Sequence, residues 1–449
     1  MTLPAPAVVE LESALMRKIM WKLLPFLCLC FMAAFLDRVN VGFAREELVA
    51  ELGMSDAVYG LGAGLFFIGY FLFEVPSNLI LERVGARFWI ARIMIVWGIV
   101  SASMMFVQTT TSFYILRFLL GAAEAGFFPG VIFYLTQWFP TTYRSRAVAI
   151  FMTAAVLSGV IGGPLSGLLL ELDGSFGLRG YQWLFLIEAI PSVVLGFVVF
   201  FYLPNGPDAA RWLTTDERNW LRARLAADTA EHGAATHVSV IAALTDSRVL
   251  LLSFVYFTMV VSAYGLDFFM PTLLKQAFPN EAPLTIGWLA AVPPLCALVV
   301  MVLYGRSSDR RGERRWHYAW AVWWAGAGLI LASLPVPPIV AVIALALAVS
   351  GRWSSIAPFW GLATTFLSGT AAAGAIALIN SIGNLGGFAG PYIMGWLKDL
   401  TGTYESGLHV LAGAAFLSGA LVMFVRRRED GAAARGQADA ALEGASTRE

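Results

Sequence analysis

Three cysteines and four histidines are all that this 449-residue chain offers to metal or redox chemistry. Cys28 and Cys30 stand two apart in one apolar run and Cys296 lies in another, so no C-x-x-C spacing exists. His232, His237, His317 and His409 fall in or beside expected loops, and no two stand four apart inside an apolar run. A metal-dependent membrane hydrolase has no visible ligand set here, and without a nucleophile–base pair the chain does not read as an enzyme. Charge is scarce too: 13% of residues, against about 25% in soluble domains. The signs cancel at 30 each, which leaves no basic excess to meet phosphate and excludes a nucleic-acid binder. What is abundant is apolar: 58% of residues, with a mean hydropathy of +0.72. That leaves too little polar surface to cover a soluble fold, so the chain reads as an all-α integral membrane protein.

A bilayer core of about 30 Å needs about 20 apolar residues per helix. Runs between charged or Gly/Pro-rich breaks give twelve spans, near 22–43, 57–80, 88–107, 112–135, 147–170, 183–203, 249–272, 285–304, 316–334, 337–363, 370–396 and 405–425. The first run is longer than the core of a cleavable signal and is expected to stay as span 1. The tenth is long enough to tilt or to carry a break. With the N-terminus in the cytoplasm, inside segments hold 23 Lys and Arg and outside loops hold 4: Arg45, Arg179, Lys275 and Lys398. The positive-inside rule therefore supports the count and places both termini in the cytoplasm. The remaining three basic residues, Arg38, Arg117 and Arg352, lie inside spans.

The expected layout is a cytoplasmic segment 1–21, a six-helix bundle 22–203, a cytoplasmic linker 204–248, a second six-helix bundle 249–425 and a disordered tail 426–449. The linker should carry one short surface helix, capped by a Thr or Asp near 214–216. Thr215 followed by Arg218 makes no capping box.

A repeat separates the halves. Asn78 to Arg87 follows span 2 and Gly305 to Arg314 follows span 8. Glu82, Arg83, Gly85 and Arg87 recur as Asp309, Arg310, Gly312 and Arg314 at the same offsets. Glycine permits a tight turn, and the acid and arginine can bridge neighbouring helix ends. Two basic turns obeying the positive-inside rule are the plainer reading. Twelve spans, a central loop and this doubled G-x-x-x-D-R-x-G-x-R turn resemble the major facilitator superfamily. The first copy departs from the pattern, with Asn78 in place of glycine and Glu82 in place of Asp. The resemblance covers residues 15–425. It implies two bundles of six helices, a site between them near the bilayer midplane, and alternating access by rocking.

Ionisable side chains within spans are costly and are candidates for function. Span 1 carries Phe35-Leu36-Asp37-Arg38-Val39-Asn40, and span 4 carries Arg117 and Glu124, seven apart on one helix face. Desolvation and a neighbouring arginine pull a carboxyl's proton affinity in opposite directions, so a carboxyl in such a cavity can take up and release a proton. A guanidinium suits a substrate carboxylate. A structural ion-pair network is the other reading. Glu74 and Glu188, each close before a proline, read as partners of backbone groups that the proline frees. The span-5 glycines, Gly159, Gly163 and Gly167 among them, read as a packing face.

The motifs F-L-D-R-x-N-x-G-x-A in span 1, R-F-x-L-G-x-x-E-A-G-x-x-P-G in span 4 and I-N-S-I-G-N-L-G-G in span 11 resemble the anion:cation symporter family, its tartrate-transporter-like branch most of all. That resemblance implies proton coupling at Asp37 and Glu124 and a substrate-binding Arg38. It adds a coupling-network role for Arg117, with Asn40 beside it in the span-1 motif. It also implies substrate contacts from Tyr70, Trp360 and Asn380, and Asn384 shares a face with Asn380. Ala155 stands where sugar-acid members can carry an amide, which weakens a long polyhydroxy substrate. Arg352 has no counterpart. It reads either as a second anion clamp, making the substrate a dicarboxylate, or as the partner of an acid such as Asp267. The expected activity is proton-coupled uptake of a small organic anion across the inner membrane by a monomer, with protons as the coupling ion and no cofactor. A proton-coupled antiporter on the same scaffold is the alternative.

Overall fold

The structure is a computed structural model and describes residues 5–232, 246–366 and 372–425. The tail expected after 425 and the second part of the linker lie outside these residues. The described residues form helices and turns only. Span 1 is α1 (Ala5–Val39) with α2 (Val41–Leu52), span 2 is α3 (Asp56–Val84) and span 3 is α4 (Ala86–Ser103). Span 4 is α5 (Thr110–Glu124) with α6 (Phe127–Thr136), span 5 is α7 (Thr141–Leu170) and span 6 is α8 (Gly180–Tyr202). The linker carries α9 (Thr215–His232). The second bundle runs through α10 (Ser247–Asp267) with α11 (Met270–Ala277), α12 (Pro283–Arg311), α13 (Arg315–Ser333) and α14 (Pro338–Phe366). It ends with α15 (Ala372–Asn384), α16 (Gly386–Thr401) and α17 (Glu405–Val422).

Ten of the twelve spans are long and apolar enough by themselves to cross a bilayer. The other two are α13, whose four tryptophans weigh little on a hydropathy scale, and span 11, which is broken into α15 and α16. Span 10 is unbroken as α14 despite its Pro358. Span 1 begins and ends well beyond its apolar run, so Arg45 is a buried helical residue and not a loop charge.

Spans 1 and 7 break at matching places. The chain tightens at Asn40, where the Phe43 amide donates to the Asn40 carbonyl, and at Phe269, whose amide donates to Leu266. The two breaks pack together: a Cβ on Gly42 would press within 3.1 Å of the Phe268 carbonyl. Span 4 breaks at Ala125–Gly126. Gly126 has φ +87°, and the Ser77 hydroxyl occupies the space a side chain would need. This position admits only glycine, and it leaves Glu124 as the buried last residue of α5.

The two ends of the molecule differ. Call the end with the two repeated turns the basic face and the other the far face. Over the far half, α7 meets α12 at Gly163 and Gly287, where a Cβ on either would overlap the other's backbone. The α3–α16 contact is as close: a Cβ on Gly60 would overlap the Pro391 carbonyl, and one on Gly395 the Asp56 carbonyl. Acids from one bundle cap helices of the other. Asp399 accepts from the Asp56 and Ala57 amides (3.0 and 2.8 Å), and Glu171 accepts from the Leu284 amide (3.2 Å). A carboxylate is favoured at a helix N-terminus. Arg45 pairs with Asp56 and donates to Thr272 (3.2 Å) and Tyr404 (2.6 Å) of the second bundle. Among the described residues, the inter-bundle hydrogen bonds nearest the basic face are those of Glu74.

The linker helix lies on the basic face of the first bundle. Thr214 and Glu217 form a reciprocal cap, amide to side chain in both directions (3.2 and 2.8 Å). The capping box thus starts one residue before Thr215. Lys18 binds Glu217 at 2.8 Å, and Asp228 accepts from the Thr141 hydroxyl at 2.8 Å.

Candidate functional site

Arg38 leaves the last turn of α1 toward the second bundle. It pairs with Glu124 and donates to the Tyr264 hydroxyl at 3.0 Å. Its guanidinium lies 5.1 Å from the Phe66 ring centre and 5.4 Å from that of Tyr70. The pair is incompletely matched: Arg38 Nε and Glu124 Oε2 are buried without a hydrogen-bond partner. A buried unmatched donor beside an unmatched acceptor is costly, and the pair keeps hydrogen-bonding capacity that the protein does not fill.

Asp37 is Arg38's neighbour in sequence but not in space. One residue is 100° of helix, which turns the carboxylate into the first bundle. There it receives hydrogen bonds from Trp97 (3.1 Å), Ser101 (2.8 Å) and Ser192 (2.5 Å). Glu188 stands one turn before Ser192 on α8 and accepts from Ser166 at 2.6 Å, a side-chain partner and not a proline-freed backbone group. Both acids are fully buried. Asn40 is buried with neither amide atom bonded. With Ser166, Phe35, Trp353, Asp267 and Arg352 it lines a cavity of about 60 Å³ between the bundles. That is room for a few waters, not for an organic acid.

Arg117 is also fully buried. It donates from one nitrogen to the Ala63 carbonyl at 3.1 Å and keeps Nε and Nη1 unpartnered. The Phe66 and Phe268 rings flank it at 5.3 and 5.6 Å. It shares the Phe66 ring with Arg38, so the two guanidiniums lie on one aromatic platform.

In the second bundle, Arg352 pairs with Asp267 at 2.5 Å and lies 4.6 Å from the Trp353 ring centre. Its charge is matched within its own bundle. Trp360 stands edge-on to Tyr256 and Phe359. Asn380 donates to Glu74 Oε1 at 3.1 Å and Ser381 to Oε2 at 3.2 Å. Glu74 therefore reaches across to the other bundle. Asn384 is half-buried and makes no side-chain hydrogen bond among the described residues.

The repeated turns lie apart from this cluster. Gly85 and Gly312 have φ of +89° and +62°. Asp309 and Arg314 pair at 2.5 Å, while Glu82 and Arg83 are exposed and, among the described residues, unpaired; Arg87 is half-buried. Gly305 lies inside α12 in open space, and Arg310 extends the same helix. A larger groove of about 560 Å³, lined by Arg17, Trp21, Tyr143 and Arg146 among others, lies on the basic half of spans 1 and 5, away from the cluster.

The sequence did not reveal Tyr264, the Ser101–Ser192–Trp97 cage or the reach of Glu74. The one available signal was the four-residue spacing of Glu188 and Ser192, which puts both on one face of α8.

Two bundles, paired breaks and a polar cluster between them specify an architecture, and the comparisons with known proteins agree. The profile of the Major Facilitator Superfamily matches residues 27–280 and 279–447. The chain belongs to that superfamily. It is a transporter and not an enzyme. A protein named as a tartrate transporter from Agrobacterium vitis is 52% identical over 93% of this chain and 92% of its own. The metabolite transport protein NicT of Pseudomonas putida is 49% identical over 92% and 94%. A quinolone resistance transporter of Acinetobacter baumannii is 42% identical over 90% and 93%. In fold the transporter is similar to the xylose transporter XylE of E. coli in an inward open conformation, with a TM-score of 0.71 at 14% identity over 90% of this chain and 96% of that one.

Proposed function

We propose that this transporter carries a small organic anion inward together with protons, by alternating access. The observation that carries the reading is the half-matched Arg38–Glu124 pair at the bundle interface. A substrate carboxylate and the Glu124 carboxylate compete for one guanidinium. A proton on Glu124 removes its claim, and Arg38 becomes free to take the substrate. Asp37 is the second coupling acid, its carboxylate held by three donors that a protonated form would partly release. Tyr70, Trp360, Asn380 and Asn384 supply the remaining walls, and Arg117 with Asn40 tunes the pair. Proton co-transport offsets the substrate's charge, which costs about 2.3 kcal/mol per 100 mV against an inside-negative potential.

The relatives named for tartrate and for NicT support the organic-acid class. Bacterial relatives and the charge count support an inner-membrane location with both termini in the cytoplasm. The test is uptake into proteoliposomes under an imposed proton gradient. Asp37→Asn and Glu124→Gln are expected to lose gradient-driven accumulation while retaining binding. Full accumulation in both overturns the coupling. The relative named for quinolone resistance supports a second reading, proton-driven export. Accumulation of substrate against its gradient in liposomes that are alkaline inside selects import over export.

A further inference from the structure

Two carboxylates of the protein occupy the two bundles' polar groups in the cleft. Glu124 holds Arg38, and Glu74 holds Asn380 and Ser381. Glu74 is 6% exposed, comes from the first bundle, and places each carboxylate oxygen on a separate donor of the second. The Asn78 side-chain amide donates to the Glu74 backbone carbonyl at 2.9 Å; the backbone group that Pro76 frees is the Leu72 carbonyl, an acceptor that a carboxylate cannot satisfy. Tyr70, which stacks against Arg38, stands one turn before Glu74 on α3. That turn is about 6 Å of helix, comparable to the separation of the two ends of a short diacid. The receiving groups also match: Asn380 and Ser381 present two donors and no cation, a pattern suited to a carboxylate.

We propose that Glu74 is an internal competitor for the second-bundle end of the substrate site. It stands in for one carboxylate of a dicarboxylate substrate and makes the transporter discriminate diacids from monoacids. This rests on the reading of Arg38 as the first anion site. In the empty protein both ends are occupied from within. A diacid displaces Glu124 from Arg38 and Glu74 from Asn380 and Ser381, releasing the tie that joins the bundles nearest the basic face. A monoacid displaces only Glu124 and leaves that tie in place. Arg352, matched by Asp267, has no part in receiving the second carboxylate.

The test compares tartrate with glycerate, which lacks one carboxylate, by calorimetric binding to the purified full-length transporter. Glu74→Gln keeps the shape and removes the charge, which weakens the competitor. Tartrate affinity is expected to rise about fivefold to tenfold while glycerate stays within about twofold. Glu74→Met removes the competing acceptor altogether and is expected to move the ratio the same way, which serves if the amide variant folds poorly. A structural role for Glu74 would shift both acids alike. An equal shift, no shift, or a selective loss of tartrate overturns the proposal. Arg38→Gln separates the two claims, because it should abolish binding of both acids. If it binds either one, or if the unmodified transporter binds neither, the reading of the site fails and this inference fails with it.

Discussion

Among the described residues, the first bundle buries Asp37, Arg45, Glu74, Arg117, Glu124 and Glu188, while the second buries His317 as its one ionisable group apart from tyrosine and leaves Asp267 and Arg352 slightly open. The difference is also one of matching. Arg38, Arg117, Glu124 and Glu188 each keep a buried polar atom without a partner, whereas Arg352 and Asp267 answer each other. Unmatched buried charge is expensive, so the first bundle carries instability that its packing must offset. The second bundle meets it with neutral donors, Asn380, Ser381 and Tyr264. On the proposed mechanism, charge is concentrated where protons and anion would compete, and neutral polarity where a substrate would need only to be held and released.

The contrast breaks most easily at Arg352. If its charge is matched for structure alone, Arg352→Gln leaves Asp267 unanswered and lowers stability by about 3 kcal/mol. Adding Asp267→Asn should restore the melting temperature nearly to the original, and the double variant should still take up tartrate. A stable double variant without uptake would make Arg352 a substrate clamp and erase the distinction between the bundles.

Arg117 sharpens the same contrast from the other side. Its guanidinium has one bond and two unpartnered nitrogens at full burial. Arg117→Met fills similar volume without the desolvated charge, so unfolding should become harder by about 1–2 kcal/mol while gradient-driven uptake is lost. A thermal melt and a liposome assay on one preparation read both. A destabilised variant would mean that Arg117 holds the bundle together, and the cost assigned to the first bundle would be misplaced.

Much of this was legible in the sequence, for reasons that can be named. The spans were visible because a bilayer demands sustained apolarity, and the repeated turns because only glycine takes the left-handed backbone at Gly85 and Gly312. The break beside Glu124 was not expected, because Gly126 and Pro129 stand inside a run that reads as one span. Which face each charge takes was not legible. Asp37 and Arg38 are adjacent letters, and both sides of span 1 are polar at that depth, so the pattern could not tell cleft from bundle interior. Arg45 was counted with the far-side loops because the apolar run stops at Phe43, although the helix continues to Leu52. Glu74 read as a local proline partner, because the alignment of one bundle against the other is a tertiary fact with no local signature.

The linker gives the mildest version of the contrast, since its charges are matched but wet. Burial pushes the Glu217 carboxyl up, but the Lys18 ammonium and the Thr214 amide together hold it below its ordinary range. A carboxyl held low in the folded state stabilises above its unfolded titration and loses that contribution as pH falls through the folded value. Docking of α9 on the basic face should therefore be firm at neutral pH and loosen in acid. Lys18→Met should cost at most about 1 kcal/mol, as a partly exposed ion pair does, and should flatten that pH response. Hydrogen exchange over 215–232, compared at pH 7 and near pH 4, reads both effects. If protection of α9 changes with pH as steeply in Lys18→Met as in the parent, the linker is held by the Trp138–Trp212 stack and the buried Leu221. Matched charge on a wet face would then contribute nothing, and the cost of charge in this transporter would belong to the first bundle's interior alone.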